Sequence, residues 1–336
     1  MNNIHITLNN KLLTYLLSAF LFVFPVHLVF IFFKNLLYDL KVLKAKKINA
    51  KVVSIGNISL GGTGKTPTTI AIASFLEKKG YSVGIVTRGH GRDNISNSFL
   101  LKDQDWRECG DEVVLLRNNT SSNTHIFVSL DKVFAAEQLS SMGCNVILLD
   151  DGFQHRRIYR DVDIVLLGPE NQNKKYQFVY PYGTLREPYC YLKRADITIS
   201  TKSNLTKSKS VVSDHKLSLK IKEEVMSSGS IETIYDLERK SGIMSVCSIG
   251  DPDSFSKTLN GININVSKKL VFPDHWPFTL KDIKKINDLA LKEGLEHIVC
   301  TEKDFVKLLE FKNNLHVDIS AVAQKHQLSK EIEQNI

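Results

Sequence analysis

The chain has 336 residues, which is long enough for two domains with separate hydrophobic cores. Its formal net charge of +8 favours an anionic partner, which could be nucleic acid, a membrane surface or a phosphorylated substrate. The cysteines are widely spaced and form no C-x-x-C pair, which argues against a zinc site and a disulfide framework and fits a reducing cytosol: they are Cys109, Cys144, Cys190, Cys247 and Cys300.

The first predicted element is an uncharged apolar segment from Leu12 to Phe33. As a helix it would extend about 33 Å, enough to cross a hydrocarbon core of about 30 Å. Many lysines follow it, and the positive-inside rule then keeps the rest of the chain in the cytoplasm. We therefore predict that residues 1–38 form a membrane anchor that either spans or embeds. A buried core helix is the alternative, because Pro25 and His27 weaken a transmembrane assignment.

A glycine-rich turn from Ser59 to Pro67, SLGGTGKTP, follows a short apolar run and precedes a helical pattern from Thr68 to Lys79. This is the context of a phosphate-binding P-loop, whose backbone N–H groups surround an anion at a helix N-terminus. Lys65 is predicted to reach the β- and γ-phosphates of a nucleotide, and the Thr66 hydroxyl to bind Mg²⁺. The pattern G-x-x-x-x-G-K-[ST] fails only where Ser59 replaces the first glycine. A glycine-rich turn that binds nothing is the alternative.

Predicted strands and helices alternate after the P-loop helix. Strands are expected at Val83–Thr87, His125–Ser129 and Asn145–Asp150, and helical patterns start at Gly110 and Asp131. This alternation predicts a parallel sheet with helices on both faces. Ligands in such folds bind at the carboxyl ends of the strands, where both the P-loop and the end of the third strand fall.

A second block is predicted from Asp163–Leu167 onward, with an exposed Ser/Lys-rich loop at Thr201–Ser210. The fold class is therefore α/β, with two α/β/α domains and a P-loop NTPase-like N-terminal domain. Further strands of this block are expected at Asp196–Ser200, Val211–Ile221, Gly242–Ile249 and His297–Thr301. The predicted divisions are residues 1–38 (membrane helix), 39–162 (nucleotide-binding domain), 163–310 (second α/β domain completing the cleft) and 311–336 (C-terminal segment).

The apolar strand that ends in Asp150 and Asp151 has the form of a Walker B element. A carboxylate at that position can hold the Mg²⁺ that bridges the β- and γ-phosphates. An apolar run before Asp usually marks only a strand end, but its place after a P-loop in the same α/β domain favours a site. Gln154 and His155 lie in the following turn, where His155 is either structural or part of the site.

Three further candidate residues each have an ordinary structural alternative. Asp111 is either an acid in a helical first turn or a base that accepts a hydroxyl proton during phosphoryl transfer. Arg186, in PYGTLREP, is either a phosphate clamp or part of a loop salt bridge. His275, in FPDHWPFT, is either a proton acceptor paired with an acid or a capping histidine.

These motifs together resemble the tetraacyldisaccharide 4'-kinase family, the lipid A 4'-kinases. The resemblance extends from the N-terminal apolar segment to about residue 310, with the motifs in the family's order. It rests on GGTGKTP, TRGHGR, GDE, LLDDGFQHR, PYGTLREP, FPDHWPFT and TEKD, of which DDGFQHR and LREP are the most specific. The family P-loop commonly lacks the first glycine, which accounts for Ser59. His90 and Trp276 depart from the usual family residues.

The resemblance implies ATP- and Mg²⁺-dependent phosphorylation of the 4'-hydroxyl of a tetraacylated disaccharide 1-phosphate, giving lipid IVA at the cytoplasmic face of the inner membrane. It implies no nucleic acid and no obligate protein partner. Asp111 and His275 would act on the acceptor hydroxyl, and Lys65 and Arg186 would also be catalytic. The implied metal ligands are Thr66, Asp150 and Asp151. The implied nucleotide contacts are Ser59, Leu60, Gly61, Gly62, Thr63, Gly64, Lys65, Thr66 and Gln154.

The main alternative is a membrane-associated P-loop ATPase or GTPase that acts as a switch. A deviant Walker A ATPase needs a lysine just before the two glycines, where this chain has Leu60. The guanine-specific [NT]-K-x-D motif is matched only by Thr301–Asp304, which is one residue too long. No basic module with interleaved aromatic residues indicates nucleic-acid binding.

Overall fold

The computed structural model describes residues 26–168, 178–201, 215–228 and 232–336. The first described element is a helix over residues 26–39, called α1. It exposes Val29, Phe30, Phe32 and Phe33 and buries Ile31 against the protein core. The predicted anchor over residues 1–38 thus lies mostly outside the described residues. None of the helices within the described ranges is long and apolar enough to cross a membrane.

In the described part of the chain, eight strands form the larger sheet in the order β3-β4-β2-β5-β1-β6-β7-β8. All neighbouring pairs are parallel except β3 with β4. The central strands are apolar and buried along nearly their whole length, as expected for a parallel sheet covered on both faces. The strands are β1 Lys51–Asn57, β2 Val83–Thr87, β3 Phe99–Leu100, β4 His125–Val128, β5 Val146–Asp150, β6 Val162–Leu167, β7 Ile197–Ser200 and β8 His215–Lys216.

Two helices along this sheet begin at an aspartate whose carboxylate accepts hydrogen bonds from the first free N–H groups, and two begin directly after a glycine. The Asp131 carboxylate accepts hydrogen bonds from Val133 N and Phe134 N at the start of α5, which is an N-cap. The helices of this part are α2 Lys65–Lys78, α3 Trp106–Cys109, α4 Asp111–Asn119 and α5 Lys132–Ser141, and a 3₁₀ helix covers Tyr189–Arg194. Helix α2 begins three residues before the sequence pattern predicted, because the P-loop turn leads directly into it.

A second sheet has the order β11-β10-β15-β14-β12-β13 among the described strands, and β9 pairs with β16 in a separate two-stranded ribbon. The four strands β13, β12, β14 and β15 are parallel. The strands are β9 Ser218–Ile221, β10 Glu224–Ser227, β11 Glu232–Thr233, β12 Ile243–Cys247, β13 Val266–Val271, β14 His297–Thr301, β15 Asp318–Val322 and β16 Gln324–Gln327. The helices are α6 Ile234–Glu238, α7 Pro252–Gly261, α8 Leu280–Glu293, α9 Glu302–Leu309 and α10 Lys330–Asn335, with a 3₁₀ helix at Lys312–Asn314.

The predicted domain boundary near residue 163 falls inside β6, which belongs to the first sheet. Strands β6 and β7, assigned by the sequence pattern to the second block, extend the first sheet beside β1. At the other end, β15 lies beyond residue 310 but is an inner strand of the second sheet, between β14 and β10. Ile332 of α10 is buried in the core of the first sheet. We therefore propose that the first domain extends to the end of β8 and also includes the C-terminal helix α10.

The two remaining expectations concern residues that the structure describes only in part. The predicted strand 211–221 begins outside the described residues. Its described part contains β8 and β9, which belong to different sheets. The Ser/Lys-rich stretch 201–210 lies outside the described residues apart from Thr201. By contrast, the strands predicted at Val83–Thr87 and His297–Thr301 have the predicted bounds.

Candidate active site

A cleft of about 540 Å³ is lined by residues from both sheets. On the first sheet, its walls are the turns that follow β1, β2 and β5. On the second sheet, they are the turns that follow β12, β13, β14 and β15. Every one of these turns leaves the carboxyl end of a parallel strand, which is where open α/β sheets bind ligands. The cleft is therefore the candidate site on topology alone.

The P-loop lies at the mouth of this cleft and ends at the first residue of α2, Lys65. Gly61 and Gly64 have φ values of 105° and 84°, a left-handed conformation that side chains rarely adopt. The loop is braced from within, because Asn57 Nδ2 donates to Thr63 Oγ1 over 2.9 Å and Thr201 Oγ1 donates to Thr63 O over 2.9 Å. It therefore has the fixed shape that phosphate binding needs.

The loop can receive an anion without rearrangement. A Cβ built on Gly61 or Gly62 meets no atom within 4 Å, so open space lies beside the backbone there. The Lys65 ammonium lies over the same region, 3.7 Å from Asp151 Oδ1. A cradle of backbone N–H groups, a helix N-terminus and a lysine together fit the phosphates of a nucleotide.

Gly64 is tightly enclosed where its P-loop neighbours are not. A Cβ there would lie 2.5 Å from Cε1 of His326, which reaches the loop from β16 and contacts Thr68 Oγ1 at 2.8 Å. We expect Gly64→Ala to lower the free energy of unfolding by about 1–2 kcal/mol, because it adds strain at a positive φ to this clash. Urea unfolding of the nucleotide-free protein measures the change.

Gly62→Ala is the matched control for that prediction, since Gly62 has open space and no positive φ. We expect Gly62→Ala to change the free energy of unfolding by no more than about 0.5 kcal/mol. Equal stability of the two variants would show that neither the backbone conformation of Gly64 nor His326 constrains the loop.

Asp150 and Asp151 face the P-loop from the end of β5, but they have different surroundings. Asp150 is buried and accepts hydrogen bonds from Thr87 Oγ1 at 3.2 Å and Thr69 Oγ1 at 3.5 Å. Burial, aided by nearby acidic groups, raises the pKa of Asp150 to about 6. A cation beside it would favour its ionised form.

Asp151 is held by two cations. Both of its carboxylate oxygens accept hydrogen bonds from Arg186 Nη1 at 2.9 Å, and Lys65 lies on the other side. Burial opposes its ionisation, but Lys65 and Arg186 outweigh burial and hold the pKa of Asp151 well below its usual range. Its φ of 53° is a strained conformation costing about 1–3 kcal/mol, as often found at functional sites.

These residues suit magnesium. Among the described residues, no group of three or more His, Cys, Asp and Glu side chains could hold a metal ion by itself. Mg²⁺ typically uses one or two carboxylates and completes its shell with water and substrate phosphates. Asp150 and the buried hydroxyl of Thr66 are oxygen donors of this kind beside the P-loop. Asp151 is a third oxygen donor beside the P-loop, although both of its oxygens already accept hydrogen bonds from Arg186.

Lys132 supports this acidic pair, although the sequence pattern did not single it out. Its side chain is completely buried, and its ammonium donates to the main-chain carbonyls of Asp150 and Asp151, the latter at 2.8 Å. Burial lowers the pKa of Lys132 to about 8, against the opposing effect of the two carboxylates. Nothing in the sequence marks it, because a lysine at the start of a helix is normally a solvated residue.

On the second wall, His275 contacts Asp111 across 164 positions of sequence. His275 Nδ1 lies 3.0 Å from Asp111 Oδ1 and 3.2 Å from Oδ2, and Nε2 lies 2.9 Å from Lys303 Nζ. A lysine ammonium can only donate, so Nε2 must accept and Nδ1 must carry the hydrogen that Asp111 accepts. The structure therefore places Asp111 behind the ring, with the Nε2 edge towards the cleft.

Asp111 is ionised and almost inaccessible. Its side chain is 3% exposed, and its Oδ2 lies 3.3 Å from Lys307 Nζ. Burial disfavours the charge, but the hydrogen bond from His275 and the two lysines Lys303 and Lys307 outweigh burial and lower the pKa of Asp111. His275 itself has a φ of 57°, so it shares the strained backbone conformation of Asp151.

The other predicted nucleotide contacts lie around the P-loop and outside the cleft lining. Ser59 is buried and pairs with Leu185 in an antiparallel bridge, so the LREP loop packs along the P-loop. Leu60 is 42% exposed. Gln154 Nε2 donates to Asn57 O at 2.8 Å, which fixes the end of β1. These three residues shape the loop in the structure, and a direct contact with nucleotide stays a prediction.

The two histidines whose roles were open also have definite places. His90 lines the cleft, and its ring lies 4.3 Å from the ring of His275, centroid to centroid. Burial, together with the nearby imidazole of His275, lowers the pKa of His90. His155 lies behind the acidic pair, and burial with nearby cations lowers its pKa to about 4. The neutral form of His155 is therefore favoured.

Comparisons with known proteins agree with this site. The family model described as tetraacyldisaccharide-1-P 4'-kinase matches residues 16–336. A tetraacyldisaccharide 4'-kinase of Elusimicrobium minutum is 33% identical over 305 residues, covering 82% of this chain and 79% of the relative. The enzyme of that name from Aquifex aeolicus is 30% identical over 311 residues, covering 89% and 92%.

A solved structure supports the same conclusion. The crystal structure described as "apo" form LpxK from Aquifex aeolicus in complex with ATP is 28% identical and superposes with a TM-score of 0.74. The match covers 95% of this chain and 96% of that one, which confirms the predicted α/β fold class. Given a family model and a fold that both match nearly the whole chain, this protein belongs to the tetraacyldisaccharide-1-P 4'-kinase family.

Proposed function

We propose that the protein transfers the γ-phosphate of ATP to the 4'-hydroxyl of a tetraacyldisaccharide 1-phosphate. It is a kinase that uses ATP and Mg²⁺. The observation that carries the proposal is the arrangement of the cleft: the P-loop lies on one wall and the Asp111–His275 pair on the other. Phosphoryl transfer needs a phosphate donor and an oriented hydroxyl in one site, and each wall supplies one requirement.

The first wall holds and polarises the nucleotide. Backbone N–H groups of Gly61 to Lys65 and the Lys65 ammonium bind the phosphates. Arg186 and Lys65 both contact Asp151, so these cations lie where charge builds up during transfer. Thr66 and Asp150 would hold Mg²⁺, which supplies charge neutralisation between the β- and γ-phosphates.

The second wall orients the acceptor. His275 Nε2 faces the cleft and takes the hydroxyl proton, while Asp111 fixes the ring and stabilises the positive charge that results. Asp111 cannot easily receive that proton directly, because it is buried and already accepts hydrogen bonds from His275 and its neighbour Glu112 N. This assignment keeps the predicted pair, with His275 as the proton acceptor and Asp111 as the residue that orients the ring.

The direct test is phosphate transfer from γ-labelled ATP to detergent-dispersed tetraacyldisaccharide 1-phosphate, followed by separation of labelled lipid. We expect label in the lipid only when Mg²⁺ is present. The control reaction contains ATP without lipid. Phosphate release in that control, with no labelled lipid in the complete reaction, would favour the switch ATPase and contradict the kinase.

The α1 surface supports a membrane location for this reaction. The acyl chains of the substrate lie in a membrane, and α1 exposes a group of large apolar side chains that a soluble protein normally covers. Lysines follow directly, including Lys44, Lys46 and Lys47, and each would add about 1 kcal/mol beside an anionic leaflet. We propose that residues 1–38 anchor the enzyme at the cytoplasmic face of the inner membrane.

Removing residues 1–25 tests this anchor. The cut is placed there because Ile31 and Asn35 are buried against the rest of the protein, so a longer deletion would disturb the fold. We expect the shortened protein to move from the membrane to the soluble fraction, and to lose lipid phosphorylation far more than ATP binding. Centrifugation in high salt and a nucleotide-binding titration measure the two effects. Complete pelleting of the shortened protein would assign the membrane contact to residues after 25, either the exposed face of α1 or another surface.

A further inference from the structure

Helix α9 places two lysines, one turn apart, against the Asp111–His275 pair. Lys307 Nζ lies 3.3 Å from Asp111 Oδ2, and Lys303 Nζ lies 2.9 Å from His275 Nε2. The spacing i, i+4 puts both on one face of the helix. The TEKD motif contains Lys303, and the sequence pattern assigned no role to it.

Lys307 belongs to a buried, hydrogen-bonded cluster. Its side chain is wholly buried and donates to Ser248 Oγ at 2.7 Å, with Asp304 Oδ1 at 3.2 Å. Asp304 is also wholly buried and accepts hydrogen bonds from Ser248 N and Thr301 Oγ1 at 2.9 and 2.8 Å. These bonds fix the start of α9 to the ends of β12 and β14. The backbone of Lys303 is therefore held beside the catalytic pair.

The ammonium of Lys303 is less firmly held than its backbone. It lines the cleft, 3.2 Å from Asp274 Oδ1 and 3.7 Å from Glu112 Oε1. Lys303 is 12% exposed and those two carboxylates are 46% and 32% exposed, so the acidic ends of both ion pairs are open to solvent and to an incoming ligand. The flexible four-carbon stem of lysine lets the ammonium swing while the helix stays in place.

The neutral His275 ring cannot accept a hydrogen bond from Lys303 at Nε2 and act as a base at the same time. Nε2 has one lone pair, and Lys303 occupies it. An acceptor hydroxyl that gives its proton to Nε2 needs that lone pair. Once the proton has arrived, the ring is a cation, and a second cation at hydrogen-bond distance would be repelled. Lys303 must therefore leave the ring for the reaction to proceed.

We propose that Lys303 is a catalytic residue that moves from His275 Nε2 to the transferring phosphoryl group when the acceptor binds. In the step it assists, the acceptor oxygen bonds to the γ-phosphorus and the bond to the β,γ-bridging oxygen breaks. The hydroxyl proton passes to Nε2, and the electron pair of the broken bond leaves with ADP. Lys303 neither gives nor takes a proton and stabilises charge on the phosphoryl oxygens. The inference rests on the kinase function proposed above.

The primary test is the steady-state kinetics of Lys303→Met with tetraacyldisaccharide 1-phosphate and ATP. We expect kcat to fall about 100-fold, the usual cost of losing one donor to transition-state charge, with little change in ATP affinity. Lys303→Arg should recover part of kcat because it keeps the charge. Lys268→Met is the matched control: Lys268 forms a 3.1 Å ion pair with Glu293 on the second sheet's edge strand, away from the cleft lining, and should keep wild-type kcat.

The pH profiles distinguish a moving lysine from a fixed one. The charged and titratable groups around the ring are Asp111, Glu112, Asp274, Lys303, Lys307 and His90. The profile of kcat/KM reports the free enzyme, in which Lys303 lies on Nε2, whereas that of kcat reports the substrate complex. Lys303→Met removes a cation that opposes protonation of the ring in the free enzyme, so it should move the acid limb of the kcat/KM profile to higher pH. It should move the acid limb of the kcat profile less, because Lys303 has already left the ring in the substrate complex.

Two results would overturn the proposal. One is wild-type kcat in a Lys303→Met protein with a normal unfolding midpoint. The other is an equal shift, or none, of the two acid limbs. If the wild-type protein itself labels no lipid, the kinase function fails; if only the Lys303 results differ from expectation, the kinase function stands and the role of Lys303 fails.

Discussion

Lys65→Ala is expected to abolish detectable lipid phosphorylation while leaving the protein folded. The Lys65 side chain is 17% exposed and forms one ion pair, at 3.7 Å, so its removal costs little stability. Its ammonium lies beside the P-loop, however, where it meets the transferring phosphate. The loss of one such contact costs about 10²–10³ in kcat, and the loss of phosphate binding adds to this. Transfer of label from γ-labelled ATP to lipid measures the effect.

Lys78→Ala is the matched control, because Lys78 is an exposed lysine in the last turn of the same helix. It should retain wild-type turnover. Thr66→Ala extends the test to the metal: it should lower activity in a way that higher Mg²⁺ partly restores, since one oxygen ligand is lost. Near wild-type turnover by a folded Lys65→Ala protein would refute the nucleotide role of the P-loop.

Replacing Asp111 or His275 is expected to reduce kcat by about 10²–10⁴, the range for a general base. Asp111→Asn keeps the shape of the side chain but removes its charge, and His275→Ala removes the ring. The double variant should be little worse than the more damaging single one, because the two groups act as a unit on one proton. A double-mutant cycle on kcat, with unfolding midpoints for all four proteins, is the measurement.

His316→Ala controls for the loss of a histidine from the second unit, since His316 is exposed and far from the cleft lining. It should leave kcat unchanged. If the effects of Asp111→Asn and His275→Ala multiply independently, the two residues perform separate tasks. The hydrogen bond between them would then be structural, and Nε2 would no longer be the expected proton acceptor.

The LREP loop shows how motifs found separately become one site. Ser59 in the P-loop pairs with Leu185, and the next residue, Arg186, binds Asp151. Glu187 is buried and pairs with Arg194 at 2.8 Å, while Asn35 of α1 donates to it at 3.2 Å. Helix α1, the P-loop and the acidic pair are thus connected through three consecutive loop residues.

Local sequence was sufficient for features that depend on neighbouring residues. The P-loop, the acidic end of β5 and the strand β2 are each specified by a short run of chain, so spacing and apolar pattern identified them. The family motifs likewise singled out Asp111 and His275, which the structure brings into contact, because each lies in a distinctive local pattern. Backbone strain at Asp151 and His275 had no such signal, since ordinary residues adopt it only under tertiary constraint.

The sheet to which β6 belongs could not be predicted from the sequence, for a related reason. Strand β6 is an apolar run with buried residues throughout, and such a run fits any position in a parallel sheet. It pairs with β1, which lies more than a hundred residues earlier, and nothing in the sequence of β6 indicates that pairing. The return of α10 to the first core is equally non-local.

By itself, the sequence determined the α/β fold class and supplied the residues for which we propose roles: a P-loop with acids for the metal, and an acid and a histidine for the acceptor. Only the tertiary structure decided how these groups are paired and charged. Lys132, Lys303 and Lys307 read as ordinary solvated lysines, yet folding buries or encloses each against a carboxylate or carbonyl of the site. The reason is physical: hydrogen bonding and desolvation depend on which groups are close in space, and these contacts join distant parts of the chain.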